Sequence, residues 1–470
     1  MIRYKLHDLL QYLRQCQKFG GKGMRYDFPK LRYYWVSGNS LRAMNETNIK
    51  LAKVLLLAIC LLTLSSSIAV AEDWSVGGHI KYQFVTTHYQ SDNIYAQYGP
   101  QSSLDNFLDL RLTAENRWGA WDTKIHYEVL AQYGDTPQTQ LALANAGFAN
   151  GSSGLLNDNH RLFKLTDEWG NNADKFDAVQ RLDRFFIGYN GEQLVVRAGR
   201  QAVTWGNGLI FHPFDIFSPF SPTEIDKDYK TGDDMLYGQW LFDSGNDLQT
   251  ILLPRRDPAT NDVESAQSSF AVKYHGRYDE QWDFDLLVAR HFDENVFGFG
   301  LTKNVWEALW RLDVSATRLT EGGTALSLVT NMDYSWVWFE RNFYGYIEYF
   351  YNSEGETQAA NYTYPNSALQ TRLQRGDVYT LGRDYFTSGV QIEVTPLFNF
   401  YTSWIANLHD SSGVFQIRGI YDWSDNLQLI GWLDIPYGND GTEFGGIPVA
   451  ESNGYLGSGE RAYLRLIYYF

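Results

Sequence analysis

Beyond residue 71 the chain contains no cysteine; its only two, Cys16 and Cys60, come earlier. The 399 residues that follow therefore hold no disulfide framework and no thiolate metal site. Long apolar runs are missing too. Nothing after residue 71 approaches the roughly 20 apolar residues that a spanning helix needs. That excludes a helical membrane protein but not a barrel, whose strands hide hydrophobicity in every second residue. Basic charge is scarce: residues 1–71 hold 11 of the 39 Lys and Arg and 3 of the 55 Asp and Glu, leaving 28 basic against 52 acidic side chains, formally −24. Such acidity argues against a nucleic-acid partner. Catalytic patterns are lacking as well. His212, His275, His291 and His409 are scattered, without a glycine-flanked serine nucleophile or a spaced His/Glu metal motif. Asp226, Asp228, Asp233 and Asp234 do not follow the spacing of a helix-flanked calcium loop and read as a solvated acidic segment. No enzyme, cofactor or metal is expected.

Alternation is what the sequence has in abundance. Its last residues, 461–470, place Ala462, Leu464, Leu466, Tyr468 and Phe470 on one face and Arg461, Tyr463 and Arg465 on the other. A strand apolar on one side and cationic on the other fits the wall of a transmembrane barrel, lipid outside and water inside. The terminal Phe470 reads as an assembly signal for the barrel assembly machinery of bacterial outer membranes. Trp, Tyr and Phe make up 16% of the chain, suited to aromatic girdles at the membrane interfaces.

A basic stretch at 48–53, an apolar run at 54–64 and the small-residue site Ala69-Val70-Ala71 have the order of a secretory signal peptide. Cleavage after Ala71 is expected. Residues 1–43 then read as an overlong gene start, 44–71 as the signal peptide and 72–470 as the barrel. An unusually extended signal sequence is the alternative for the first segment.

Period-2 segments separated by turn residues number eighteen, the first at 76–85 and the last near 461, and one misread hairpin would reduce them to sixteen. Every second connection is short, near Gly119, Gly191, Gly245, Asp279, Val305, Glu340, Leu397 and Asp425, and the long ones alternate with these. Short periplasmic turns and long external loops are the rule for outer-membrane barrels. The expected fold is therefore an all-β, transmembrane antiparallel barrel with a polar lumen. Lumen charges are expected at Arg311, Glu348, Arg418 and Arg465. A charge facing lipid at the bilayer midplane would cost about 2–4 kcal/mol.

One connection, about 201–234, interleaves aromatic, proline and charged residues too densely for a disordered loop. It reads as a constriction loop folded into the barrel mouth. Arg197, Arg200, Trp205, His212, Asp215, Asp226, Lys227 and Lys230 are the expected substrate-path residues. Arg197 and Arg200 differ in parity, so both line the pore only if a bulge intervenes.

Gly199-Arg200-Gln201, followed by Trp205-Gly206 and this loop, resembles the alginate-export type of outer-membrane porin and related porin-like barrels. The resemblance spans residues 197–220 and implies eighteen strands, with Arg200 near the loop base. It also implies an arginine-rich lumen, from which this acidic chain departs. Taken together, the expectation is a passive channel for small hydrophilic or charged solutes, sitting among outer-membrane lipid and lipopolysaccharide. A polysaccharide-export or sheath barrel and a barrel hydrolase are the alternatives. Oligomeric state is left open, because an apolar exterior serves lipid and subunit contact alike.

Overall fold

The computed structural model describes residues 74–148, 157–169, 175–223, 229–279, 281–450 and 452–470. The expected signal peptide, 44–71, and the expected overlong start, 1–43, lie outside the described residues. Eighteen antiparallel strands form a closed barrel, each paired with its neighbours in sequence. They are β1 (Trp74–His88), β2 (Ser102–Trp118), β3 (Trp121–Gly134), β4 (Phe176–Asn190), β5 (Leu194–Gln201) and β6 (Asp233–Leu241). Next come β7 (Asp247–Leu253), β8 (Ser269–Tyr278), β9 (Trp282–His291), β10 (Glu294–Val305), β11 (Ala308–Arg318) and β12 (Thr324–Trp338). The last third is β13 (Arg341–Asn352), β14 (Asp384–Thr395), β15 (Phe398–Asn407), β16 (Gly413–Ser424), β17 (Leu427–Tyr437) and β18 (Glu460–Tyr469). The count of eighteen matches the sequence expectation, and the sixteen-strand alternative falls away.

Facing follows the period-2 rule. In β12, Ser327, Val329 and Asn331 are buried toward the lumen, whereas Leu326 and Tyr334 are exposed on the outer surface. That outer surface is a belt of Phe, Leu, Val, Trp and Tyr. In water it would be an insoluble patch, and in a bilayer it is the matched surface.

The inner surface departs from expectation. In β7 and β9 both faces are apolar: Leu252, Leu286 and Val288 point out, while Ile251, Leu253, Leu287 and Ala289 are buried inside. The lumen is thus not polar throughout. An apolar inner wall is stable only where protein covers it, and here the covering is a loop.

Closure brings β18 against β1, with His79 opposite Tyr469 and His88 opposite Glu460. The Phe470 amide donates to the Gly78 carbonyl at 3.1 Å, and the Gly78 amide donates back at 2.9 Å. Gly78 has no room for a side chain. A Cβ there would lie 2.1 Å from the Arg111 carbonyl oxygen and 2.9 Å from the Phe470 ring. Gly431 in β17, by contrast, has nothing within 4 Å of its Cβ position. Gly78→Val is therefore expected to abolish the heat-modifiable closed barrel on refolding, and Gly431→Val to leave it intact. Electrophoretic mobility of unheated samples checks both, and equal folding of the two would refute the seam argument.

Candidate functional site: a pinned loop inside the barrel

Residues 202–223 and 229–232 leave the wall because β5 stops early. β4 runs for 15 residues and β5 for eight, so the upper edge of β4 would be left unpaired. The three-residue strand Thr166–Glu168 covers that edge, pairing Thr166 with Arg181 and Glu168 with Val179. An open strand edge is a liability, and this patch removes it while freeing the chain to turn inward.

Arg200 closes the base of the loop. Its Nε and Nη2 donate to the Asp234 carboxylate at 2.9 and 2.8 Å, joining the departing strand to the returning one. Nη1 reaches Asp158 at 3.1 Å and Nη2 the Phe163 carbonyl at 2.6 Å. With 2% of its surface exposed, Arg200 is a structural clamp, not a group open to passing solute. Arg197 pairs across from Gly188 and opens onto a cavity of about 390 Å³ at the short-turn end, beside Glu115, Asp122 and Lys124. The two arginines therefore occupy different places, and only Arg197 faces the lumen. Asp233 pairs with Arg255 at 2.8 Å, so neither Asp233 nor Asp234 is the solvated acid that the sequence suggested.

The underside of the loop is apolar. Trp205, Phe214 and Phe217 form one cluster with Met235, Tyr237, Ile251, Leu253, Leu287, Ala289 and Val296 of the inner wall. Burying one such ring contributes about 1.5–3 kcal/mol. Phe214 is fully buried over Gly298, where an added Cβ would meet its ring at 2.6 Å. The Trp205 indole N–H donates to Gln249 at 2.7 Å, so its polar atom is satisfied as well.

Past Trp205 the loop reaches the strands beyond this patch. The Asn207 amide and side chain donate to Asp313 of β11 at 2.6 and 2.8 Å. The amides of Leu209, Ile210 and Phe211 donate to the Glu348 carboxylate of β13 at 2.6, 3.0 and 2.8 Å. Asn331 donates to the same carboxylate at 3.1 Å and to the Asn207 carbonyl at 3.0 Å. Phe211 then stacks on Phe350, ring centroids 4.3 Å apart and nearly parallel. Glu348 and Asp313 are both fully buried. Glu348 is thus a loop anchor, where the sequence suggested an open lumen charge. Asp313 shares the lumen-facing parity of Arg311, and nothing in a period-2 pattern marks which lumen acid meets a loop.

On the return limb Asp215 and Lys230 form a buried ion pair, and the Lys230 ammonium also donates to the Val203 carbonyl at 2.6 Å. Burial pushes the Asp215 carboxyl above its ordinary range and the Lys230 ammonium below its own, against their mutual attraction. Tyr229 lies over the Arg111 guanidinium at 4.1 Å and against His79 at 5.5 Å. Arg111 itself is held by Glu128 and Asp183. His212 lines a small cavity of about 50 Å³ with Phe350, Arg372 and Asp377. Asp226 and Lys227 lie outside the described residues.

A second loop lies on top. Its helix Ser367–Arg375 and the residues after it contact the inner loop and the wall. Tyr379 donates to the Pro219 carbonyl at 3.0 Å, and Arg375 pairs with Glu294 at 3.0 Å. The Phe292 ring sits between Arg255 and Arg375, 5.2 and 4.8 Å from the two guanidiniums.

Among the described residues, polar anchors of the loop fall on β11, β12 and β13, with Gln249 of β7 beneath Trp205, and on β4, where Asp183 accepts from the Gly232 amide at 3.2 Å and Arg184 donates to the Lys230 carbonyl. The arc β15–β18 carries a different surface. Arg418 lies between the rings of Tyr401 and Trp432, at 4.2 and 4.9 Å. Asp434 accepts from Trp432 at 2.6 Å, Gln416 at 2.8 Å and Tyr463 at 3.2 Å, and pairs with Arg461 at 3.2 Å. Arg465 donates to Gln83 at 2.7 Å, and Arg311 pairs with Asp333 at 3.0 Å.

No family model matches the sequence, and no curated protein matches it either. Solved structures do. OccAB3 of Acinetobacter baumannii is similar at a TM-score of 0.50 and 10% identity, covering 85% of this chain and 100% of that one. OccK5 (OpdH) of Pseudomonas aeruginosa gives the same score and identity over 85% of this chain and 98% of its own. A BenF-like porin from Pseudomonas fluorescens Pf-5 follows at 0.46 and 10%, covering 85% and 99%. The first two place the fold among porin-like barrels.

Two substitutions test the pinning. Glu348→Ala removes an acceptor whose charged hydrogen bonds contribute about 1.5–3 kcal/mol each. It is expected to leave a heat-modifiable barrel, with protease cleavage appearing within residues 202–232. Gly298→Val displaces Phe214 from the opposite side and is expected to expose the same bonds. Resistance of both variants at the wild-type level would show that the loop does not depend on these contacts.

Proposed function

We propose that this chain is an outer-membrane channel through which small hydrophilic or charged solutes diffuse passively, with residues 202–232 as its constriction. The observation that carries the reading is the combination of a loop fixed to buried wall carboxylates with an arc of arginine and aromatic side chains beside it. A water-filled lumen removes the desolvation barrier for a polar solute. The fixed loop limits its size, and the charges on the remaining wall bias what passes. The long-loop end would face outward, among lipopolysaccharide, and the short turns the periplasm. The signal peptide ending at Ala71 and the assembly role of Phe470 belong to the same reading.

Arg418, Arg461 and Arg465 set the field along this path, with Tyr401 and Trp432 packed on the Arg418 guanidinium and fixing its position. Arg311 and Arg197 act nearer the short-turn end. Trp205, Asp215, Lys230 and Arg200 shape the constriction by holding the loop, and His212 lies on its inner side. The resemblance of residues 197–220 to alginate-export porins supports a second reading, polymer export. A loop held by Asp313 and Glu348 would have to detach for a bulky polymer, which ranks that reading below small-solute diffusion.

Planar-bilayer recording of the refolded chain 72–470 is the test. Discrete conductance steps are expected, and Arg418→Glu is expected to shift the reversal potential toward cation preference under a salt gradient. A closed, folded barrel without conductance would overturn the channel reading. An unchanged reversal potential in the variant would move the solute path away from β15–β18.

A further inference from the structure

Three consecutive short turns carry apolar side chains at their tips. They are Trp306 between β10 and β11, Phe339 between β12 and β13, and Leu397 between β14 and β15, exposed by 96%, 76% and 52%. The turns on the far side of the barrel are built differently. Those between β2 and β3, β4 and β5, and β6 and β7 have Gly119-Ala120, Gly191-Glu192-Gln193 and Asp243-Ser244-Gly245-Asn246 at their tips. There the aromatic residues Trp118, Trp121 and Phe242 stop at the strand ends, as an ordinary interfacial girdle does.

Two of the apolar tips are also conformationally costly. Trp306 has φ of 57°, and Phe339 and Glu340 have φ of 47° and 58°. Left-handed backbone costs an ordinary L-residue about 1–2 kcal/mol, which is why Asn and Gly dominate two-residue hairpin turns. Phe292, at the opposite end of the barrel, shows how such strain is normally offset. It too is left-handed, at 47°, but its ring is buried between Arg255 and Arg375. Trp306 has no comparable burial, and Phe339 only stacks on Trp338, itself exposed, at 4.6 Å. Among the described residues, neither tip is buried by neighbouring side chains as Arg255 and Arg375 bury Phe292.

We infer that this arc of the short-turn rim is immersed in phospholipid at the headgroup–acyl boundary, so that the barrel sits canted, deeper along β10–β15 than along β2–β7. Lipid is the occupant because the tips continue the outer apolar belt without a polar break: Trp336 and Trp338 run down β12 into Phe339, and Trp310 stands on the outer face of β11 above Trp306. Glu307 and Glu340 beside the aromatic tips keep a polar group at headgroup level, the amphipathic arrangement that anchors Trp and Tyr at interfaces. The inference rests on the membrane-barrel reading above and adds an orientation to it.

The absence of cysteine after residue 71 makes the test direct. Single variants Glu307→Cys, Pro396→Cys, Glu192→Cys and Ser244→Cys of the chain 72–470 would carry an environment-sensitive fluorophore. Each is inserted into phosphatidylethanolamine–phosphatidylglycerol vesicles, with closure verified by heat modifiability. Labels at 307 and 396 are expected to be quenched by doxyl lipids and shielded from iodide, and those at 192 and 244 the reverse. Equal access of iodide to all four, in barrels that have inserted, overturns the canted placement and leaves the membrane reading standing. Shielding at 307 and 396 without lipid quenching, increasing with protein-to-lipid ratio, overturns it in favour of a second copy on this rim. Barrels that never insert would overturn the membrane reading itself. A Trp306→Asn, Phe339→Asn double variant removes the apolar tips and suits the left-handed backbone. It is expected to close normally in detergent but to lose lipid quenching at 307 and 396, and retained quenching would count against the tips as anchors.

Discussion

The Glu348 carboxylate, fully buried in the barrel wall, is the point on which the interior depends. Three consecutive loop amides and the Asn331 side chain surround it. An ionised carboxylate in so dry a place costs several kcal/mol if its donors are absent. The loop amides, in turn, would be buried donors without acceptors if the carboxylate were absent. Neither arrangement is acceptable alone, so wall and loop must adopt their positions together. Asp313 repeats the logic two strands away with Asn207, and the two anchors fix the loop at residue 207 and at residues 209–211.

The apolar contacts work from the other side. Trp205, Phe214 and Phe217 lie on an inner wall that would otherwise present Ile251, Leu253 and Leu287 to water. Hydrophobic burial is not directional and would allow the loop to slide over that wall. The carboxylate anchors supply direction, and the Arg200–Asp234 clamp closes the base. The division of labour resembles that of an ordinary core, where apolar area supplies most of the stability and a few satisfied polar groups select one arrangement. It also divides the lumen. The buried carboxylates of β11 and β13 are committed to holding the loop, whereas the contacts described for Arg418, Arg461 and Arg465 of β16 and β18 are with other wall residues.

Much of the barrel was legible in the sequence. The alternation of Leu326, Leu328, Met332, Tyr334, Trp336 and Trp338 with Ser327, Asn331, Asp333 and Ser335 gives both the strand and its facing, because period 2 is a property of the backbone. The loop was legible as a loop, since Trp205, Phe211, Phe214, Phe217 and their prolines cannot remain solvated. Its partners were not. Residues 251–253 and 287–289 are apolar on both faces, and alternation offers no way to distinguish a face that meets lipid from one that meets protein. Arg200 was placed at the loop base by resemblance, but its burial beneath Asp158 and Phe163 depends on a segment more than thirty residues upstream. Glu348 looked like any other lumen acid.

What the sequence by itself determined is the wall: eighteen alternating strands, their order, their lipid-facing side and the alternation of short and long connections. Those follow from local rules, since each strand pairs with its neighbour and each residue's face is fixed by parity. Tertiary structure alone decided which lumen charges are spent on holding the loop. That choice joins residues such as Phe211 and Glu348, separated by 137 positions, and turns on whether a particular amide reaches a particular carboxylate. Hydrogen bonds weaken within a fraction of an ångström and a few tens of degrees, so only the folded geometry can assign them.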